Sequence, residues 1–228
     1  MNVKILFVFD YPNIVKTWGR VCHREVVTDD IDWAMMHHHL KAHAHEHFGK
    51  DITTEFRIFK NRWSRSGEQD KIRKLRKLGY KYTLRKKDTK LDSDIDCDIR
   101  DFVTSELRAH EDLIVYLVGN DLKNYIPILR LLNNNECLSW LVSIPSGFTG
   151  FETPHNLPEY TYFFDLESVR GVLRRPDDLR AFSELNAQSR GQLSPIARSR
   201  ATGRARARNK SFKKASIDTT MKGIRKSL

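Results

Sequence analysis

The segment Leu113–Asp121, LIVYLVGND, joins six consecutive apolar residues to a glycine, an asparagine and an aspartate. An apolar run of this length, without polar alternation, is typical of a strand buried on both faces of a parallel sheet. We therefore predict a central strand over Leu113–Val118, and we expect Asp121 to lie just beyond its carboxyl end.

The chain on either side of this segment alternates short apolar runs with helical patterns. Val3–Phe9, VKILFVF, is a second near-continuous run, and it is followed by Asp10 and Pro12. Further strands are predicted at Thr54–Phe59, Tyr80–Leu84, Leu138–Ser143 and Tyr160–Phe164, and helices at Asn13–Arg20, from Asp29 or Asp30 to Phe48, and at Glu68–Leu78, Asp94–Leu107 and Tyr125–Asn133. Strands separated by such helices form βαβ units, so the pattern predicts an α/β fold whose mostly parallel sheet is covered on both faces.

Basic residues are concentrated at the end of the chain. The 228 residues contain 40 Lys and Arg and 29 Asp and Glu, a net charge of +11. Twelve of the basic residues and a single acid, Asp218, lie between Arg190 and Leu228, so the first 189 residues are neutral overall. We expect a folded domain over residues 1–170, a short helical linker over 171–189, and a basic tail over 190–228 that is disordered when free.

Cysteine content and hydropathy restrict the class of protein. Cys22, Cys97 and Cys137 are odd in number and far apart, which argues against a disulfide framework or a zinc site. No stretch approaches the ~18 apolar residues of a membrane span, and Ile5–Phe9 is too short to be a signal core. We expect a soluble protein of a reducing, cytoplasmic compartment.

Acidic residues lie beside the two most apolar strands. Asp10 comes directly after the first strand, Asp121 follows the central strand, and the helix before the central strand begins with Asp94, Asp96, Asp98 and Asp101. Chemistry in parallel sheets collects at the carboxyl ends of the strands. Carboxylates that converge there would repel one another unless a cation such as Mg²⁺ or Mn²⁺ neutralised them. The alternative is structural, because an aspartate after a strand is also a common helix N-cap.

The order of these motifs resembles the NYN family, a PIN-like group of metal-dependent ribonucleases. The family pattern is a strand ending in D-x-x-N, a Lys-rich run with "VD" opening a helix, and a strand ending in S-G-D or S-N-D before a helix that begins DFVPL. The matching residues are Asp10 and Asn13, then Ile95-Asp96, then Gly119-Asn120-Asp121, and behind it Tyr125-Ile126-Pro127-Ile128. Phe163–Leu166 resembles the family's last strand, so the resemblance covers residues 1–166.

The resemblance implies a PIN-like, Rossmannoid three-layer sandwich and a role for each matching residue. Asp10, Asp96 and Asp121 would hold a Mg²⁺ or Mn²⁺ ion, Asn13 would orient a ligand or phosphate, and Asn124 would assist through water. The implied reaction is hydrolysis of single-stranded RNA by metal-activated water.

Two departures from the family pattern concern this site. The additional acid that the family carries after its third motif is missing, because Lys123 and Asn124 occupy that neighbourhood. The later acid of the preceding helix, Asp101, comes one residue earlier than the family spacing. The register favours Asp96 as the ligand, and the alternatives are Asp94, Asp98 and Asp101, which share one helical face.

Basic residues form a belt from the second strand toward the acidic residues. Our candidates for nucleic-acid contacts are Arg62, Arg65, Lys74 and Lys87 in this belt, and Arg204, Arg206 and Arg208 in the tail. Contacts of this kind to RNA, or to DNA, add affinity rather than sequence specificity. The competing interpretations are a solvated cationic helix face for the belt and, for the tail, a localisation signal, a protein partner or a second copy of the chain.

The helical pattern over Met35–Phe48 contains six histidines: His37, His38, His39, His43, His45 and His47. Three of them, His39, His43 and His47, have the spacing of one helical face, from which imidazoles can bind a transition metal. Apart from Glu46, no Cys or acid at ligand spacing completes a tight site. We favour an exposed, partly charged helix face.

Three functions are compatible with these features. The first is a metal-dependent endoribonuclease, the second a nucleic-acid-binding module of the same fold that does not cut, and the third an adaptor that holds a protein through the tail. A metal-binding cluster of Asp10, Asp96 and Asp121 distinguishes the first from the second, and salt-sensitive binding of nucleic acid by the tail distinguishes the second from the third. A dinucleotide-binding enzyme is disfavoured because no G-x-G-x-x-G follows the first strand.

Overall fold

The structure of the protein is a computed structural model that describes residues 3–23, 30–49, 51–61, 68–85, 95–148 and 157–174. Most of the predicted nucleic-acid-binding residues lie outside these ranges, namely Arg62, Arg65, Lys87, Arg204, Arg206 and Arg208. Asp94, most of the predicted linker and the whole of the basic tail also lie outside the described residues.

Within the described residues, six parallel strands form one sheet, which confirms the predicted α/β class. In chain order they are β1 (Val3–Asp10), β2 (Ile52–Asn61), β3 (Tyr80–Arg85), β4 (Leu113–Val118), β5 (Ser139–Ser143) and β6 (Thr161–Asp165). Their order across the sheet is β3-β2-β1-β4-β5-β6, that of a doubly wound sheet. The strand order reverses between β1 and β4, and sheets of this kind bind ligands at the carboxyl ends of such a pair.

Helices cover both faces of the sheet. The described chain contains α1 (Tyr11–Val21), α2 (Trp33–Phe48), α3 (Glu68–Lys77), α4 (Ile95–Ala109) and α5 (Leu122–Asn134), with a short 3₁₀ turn at Pro145–Gly147. Side chains of α1, α2 and α3 pack on one face, and side chains of α4 and α5 pack on the other. The domain therefore has the predicted three layers.

Burial on both faces explains the apolar run of β1. Ile5, Phe7 and Phe9 belong to the core under α1, α2 and α3, whereas Leu6 and Val8 belong to the core under α4 and α5. All five side chains are completely buried. Each contributes roughly 1.5–3 kcal/mol to stability, so β1 anchors the centre of the sheet.

Two helices begin earlier than predicted, because an aspartate caps each of them. α1 starts at Tyr11 with Asp10 as its N-cap, and Pro12 is tolerated in the first turn, where its missing N–H is not needed. α5 starts at Leu122 with Asp121 as its N-cap. The capping interpretation of these aspartates is thus correct. Both carboxylates accept hydrogen bonds from backbone N–H groups at helix N-termini.

Two histidines of α2 are packed against the sheet rather than exposed. The ring of His37 stacks on Phe56 with centroids 3.8 Å apart, and His43 Nδ1 lies 2.8 Å from the Tyr116 hydroxyl. Burial, with smaller contributions from neighbouring charges, lowers the pKa of His37 and of His43 to about 4. The predicted exposed, charged face is wrong for this pair, since both imidazoles are neutral at pH 7. We call these two residues the histidine layer.

None of the described helices is long and apolar enough to cross a membrane. Cys22, Cys97 and Cys137 are free thiols. The thiol of Cys137 donates to the carbonyl oxygen of Leu113 at 2.8 Å, and burial raises its pKa to about 12. Cys137 is therefore a packing residue of the core and a poor nucleophile.

Candidate functional site

The β1–β4 pair brings Asp10 and Asp121 to the same edge of the sheet. Asp10 is the last residue of β1, and Asp121 follows β4 as the cap of α5. The two strands pair in parallel up to Phe9 and Val118. Two carboxylates from distant parts of the sequence therefore meet where the strand order reverses.

Asp10 is the most buried carboxylate at this edge, with 5% of its surface exposed. Its Oδ1 accepts a hydrogen bond from the Asn13 backbone N–H at 3.1 Å, and its Oδ2 accepts one from the Tyr125 hydroxyl at 2.9 Å. Burial raises the pKa of Asp10 to about 7, against the effect of these two bonds and with added repulsion from Asp96 and Asp121. With this pKa, the Asp10 carboxyl group is partly protonated at neutral pH.

The hydroxyl of Tyr125 reaches Asp10 across Gly119. A Cβ atom on Gly119 would lie 2.2 Å from that hydroxyl oxygen, so no larger residue fits without moving the tyrosine. Tyr125 is fully buried, and burial raises its pKa well above the usual value, which keeps the hydroxyl protonated as a donor. Glycine at this position is therefore required by the close approach that holds Asp10.

Asn124 joins the two remaining carboxylates. Asp96 lies in the first turn of α4. The Asn124 side-chain nitrogen donates to Asp96 Oδ2 at 2.8 Å and to Asp121 Oδ2 at 3.0 Å. Asn124 is exposed, and Asp96 and Asp121 are half-buried, so solvent reaches this side of the group. We call Asp10, Asp96 and Asp121 the acidic cluster.

Asn120 fixes the segment that carries Asp121. Its buried side chain donates to the Ile144 carbonyl oxygen at 2.6 Å and accepts from the Ile144 N–H at 3.0 Å. Its backbone N–H donates to Asn13 Oδ1 at 2.6 Å. A carboxamide bonded to both polar groups of one residue has a single orientation. Asn120 therefore holds the end of β4 against both β5 and α1.

The structure brings four of the five predicted catalytic residues together: Asp10, Asp96, Asp121 and Asn124. The fifth, Asn13, lies beside them, but its side-chain oxygen is bonded to Asn120. Among the alternatives to Asp96, Asp101 is exposed on α4 with its carboxylate 3.8 Å from Arg100. The contact with Asn124 and the repulsion of Asp10 favour Asp96 as the member from α4.

The donor set of the acidic cluster suits a hard divalent cation in type. Carboxylate and carboxamide oxygens are ligands that Mg²⁺ and Mn²⁺ prefer. Among the described residues, no three His, Cys, Asp or Glu side chains stand in a metal-binding arrangement. In the acidic cluster, the Asn124 amide nitrogen lies between two of the carboxylates. The residues therefore fit a cation in chemical type, and the Asn124 amide would have to turn for one cation to bind Asp96 and Asp121 together.

Lys74 is exposed on α3, whose exposed basic side chains also include Arg73, Arg76 and Lys77. Another cation, Lys60, lies on β2, with its Nζ 4.7 Å from the ring centroid of Tyr11. These positions would suit phosphate contacts. The exposure of α3 is equally compatible with a solvated cationic helix face.

Two residues that hold the site, Tyr125 and Asn120, were not assigned from the sequence. Tyr125 occupies the aromatic position of the DFVPL motif, where the family pattern has phenylalanine. The sequence therefore shows an extra hydroxyl group at this position. Asn120 matches the S-N-D form of the third motif. Neither signal reveals which atom the side chain reaches.

Comparisons with known proteins show the fold alone. The sequence matches no model of a protein family, and no curated protein matches it. The crystal structure of a protein of unknown function from Vibrio parahaemolyticus is similar, with a TM-score of 0.53 and 12% sequence identity over 73% of this chain and 95% of that chain. The two chains share an α/β architecture.

Proposed function

We propose that this protein is a Mg²⁺- or Mn²⁺-dependent endoribonuclease that hydrolyses phosphodiesters in single-stranded RNA in a reducing, intracellular compartment. The observation that supports this function is the meeting of Asp10, Asp96 and Asp121 at the edge where the strand order reverses. That edge is where open α/β sheets bind their ligands.

The acidic cluster would hold the cation, which when bound activates water and neutralises charge on the phosphate. Asp10 presents a carboxylate that Tyr125 and the start of α1 keep in one orientation. Asn13 serves in this proposal as a positioning residue, because its oxygen holds the segment before Asp121. Rigid support of this kind keeps ligands within the small tolerance that catalysis requires.

RNA binding in this proposal comes from basic residues outside the acidic cluster. Lys74 and its neighbours on α3 are exposed, and Arg62, Arg65, Lys87 and the tail arginines are the further predicted contacts. Each phosphate that these residues neutralise releases counterions, so affinity falls as salt rises. The RNA strand would be bound without regard to its base sequence.

Cleavage of a labelled single-stranded RNA tests the proposal. Wild-type protein is expected to cut in Mn²⁺ and not in EDTA, and Asp121→Asn is expected to lower the rate about 100-fold or more because a ligand charge is lost. The matched control is Asp112→Asn, an exposed residue just before the opposite end of β4, which should cut like wild type. Equal cleavage by Asp121→Asn would contradict the proposal.

A nucleic-acid-binding module that does not cut is the second candidate. It is favoured by Asn124, which stands where the family pattern has an acid and whose amide lies between two carboxylates. Under this function wild type and Asp121→Asn would bind the same RNA with equal, salt-sensitive affinity, and neither would cut it in Mn²⁺.

A further inference from the structure

Asn124 makes one contact that helix capping explains and one that it does not. As the third residue of α5, it donates its backbone N–H to the carboxylate of Asp121, the N-cap, as in ordinary helix capping. Its second bond, at 2.8 Å, goes to Asp96 on another helix. That bond lies within the acidic cluster and indicates a role beyond capping.

The orientation of this amide follows from the charges around it. The side-chain nitrogen has two hydrogens, and the two carboxylate oxygens lie 2.8 and 3.0 Å from it. Turning the amide so that its oxygen faced Asp96 and Asp121 would replace two charge-assisted hydrogen bonds by repulsion. In the absence of a cation, the nitrogen therefore points inward.

A neutral donor thus contacts each member of the acidic cluster. Asn124 donates to Asp96 and Asp121, while Tyr125 and the Asn13 backbone donate to Asp10. A divalent cation that bound Asp96 and Asp121 together would have to break both bonds of Asn124. The same rotation would present the Asn124 oxygen, an acceptable ligand for a hard cation.

We propose that Asn124 competes with the divalent cation for Asp96 and Asp121, and thereby sets the metal affinity of the site. This inference rests on the proposed function for the identity of the ion. An aspartate at the same position would offer no donor and would add a negative charge. Asn124 therefore makes cation binding at this site weaker than an aspartate would.

Titration of the full chain with Mn²⁺, followed by calorimetry, measures this competition directly. Asn124→Asp is expected to bind Mn²⁺ about tenfold more tightly than wild type. Asn124→Ala removes the bridge without adding charge, and roughly threefold tighter binding is expected because two bonds no longer have to be broken. The charge control is Asn134→Asp, at the other end of α5 and exposed, which should bind like wild type.

A second measurement covers the case in which Asn124→Asp is unstable without metal. The rise in Tm from EDTA to saturating Mn²⁺ grows with affinity, so it should be larger for Asn124→Asp and for Asn124→Ala than for wild type and Asn134→Asp. Weaker or unchanged Mn²⁺ binding by Asn124→Ala would overturn the inference. So would equal Mn²⁺ affinities of Asn124→Asp and Asn134→Asp.

The outcomes separate this inference from the proposed function. Tighter Mn²⁺ binding by the Asn124 variants without RNA cleavage by any protein supports the inference and contradicts the nuclease. Cleavage by wild type together with unchanged affinity in the variants contradicts the inference alone. Absence of Mn²⁺ binding in all four proteins contradicts both.

Discussion

The acidic cluster and the histidine layer are both groups of titratable side chains beside the same sheet, and burial affects their charge in opposite directions. Burial raises the pKa of Asp10 to about 7, whereas burial lowers the pKa of His37 and of His43 to about 4. The imidazoles are consequently neutral at pH 7, and Asp10 is partly ionised.

Their surroundings explain why one group is a candidate site and the other is part of the core. His43 is enclosed by aromatic rings, with Phe164 centred 5.0 Å away and Trp140 centred 5.8 Å away. The acidic cluster lies at strand ends, and its members Asp96 and Asp121 are half-exposed. Position at the reversal of strand order, rather than density of titratable residues, therefore distinguishes the two.

The largest effect on this comparison is expected from Gly119→Ala. The new methyl group would lie 2.2 Å from the Tyr125 hydroxyl, so the tyrosine must move and Asp10 loses a donor. A loss of about 3 kcal/mol in the free energy of unfolding is expected, at the upper end for an overpacked core. Urea denaturation measures it.

The double variant Gly119→Ala with Tyr125→Phe is the control. Removing the hydroxyl removes the atom in closest contact, so part of the lost stability should return relative to Gly119→Ala. The absence of any recovery would mean that the tyrosine is not the group under strain.

The pH dependence of stability in EDTA tests the acidic side. The folded pKa of Asp10, about 7, exceeds the unfolded value of ~3.9. Its stabilisation is therefore complete below about pH 4 and is lost as the pH rises through 7. Asp10→Asn should be more stable than wild type by roughly 2 kcal/mol at pH 8. An advantage that does not shrink toward pH 4 would contradict this cause.

The smallest effect is expected at the histidine layer, with the opposite sign of pH dependence. The folded pKa of His43, about 4, is below the unfolded value of ~6.5. Its stabilisation is present above about pH 6.5 and is lost as the pH falls toward 4. His43→Leu should cost about 1 kcal/mol at pH 7.5, through the lost bond to Tyr116, and should flatten that fall.

His38→Leu, at an exposed position of the same helix, is the comparison. It should leave the stability at pH 7.5 unchanged. Equal behaviour of the two leucine variants in thermal denaturation would remove the distinction between packed and exposed histidines on α2.

The central strands and the acidic edge were predictable because each depends on local sequence. The strand Leu113–Val118 has the predicted bounds. A run that is buried on both faces contains no polar residues, so its two ends are clear in the sequence. Asp10 and Asp121 were found because they follow such runs directly. Their double role, as helix caps and as members of the acidic cluster, reconciles two interpretations that the sequence left as alternatives.

The contacts that hold the site could not be predicted, because they join residues distant in the chain. Asn120 reaches Ile144, and Asn124 reaches Asp96 on another helix. The histidines were misjudged for a related reason. α2 buries Met36 and Leu40, and His37 and His43 lie at the border of this apolar side of the helix. Their exposure there depends on the aromatic side chains of the sheet.

β1 is synthesised before the other five described strands of the sheet, although it lies in the middle of the sheet between β2 and β4. At a synthesis rate of roughly 5–20 residues per second, its apolar segment waits on the order of ten seconds for β4 to appear. Pairing across such a long stretch of chain is slow and leaves apolar surface open to misassociation. The growing polypeptide is therefore most vulnerable before Leu113–Val118 emerges, and a product terminated before this point is expected to aggregate.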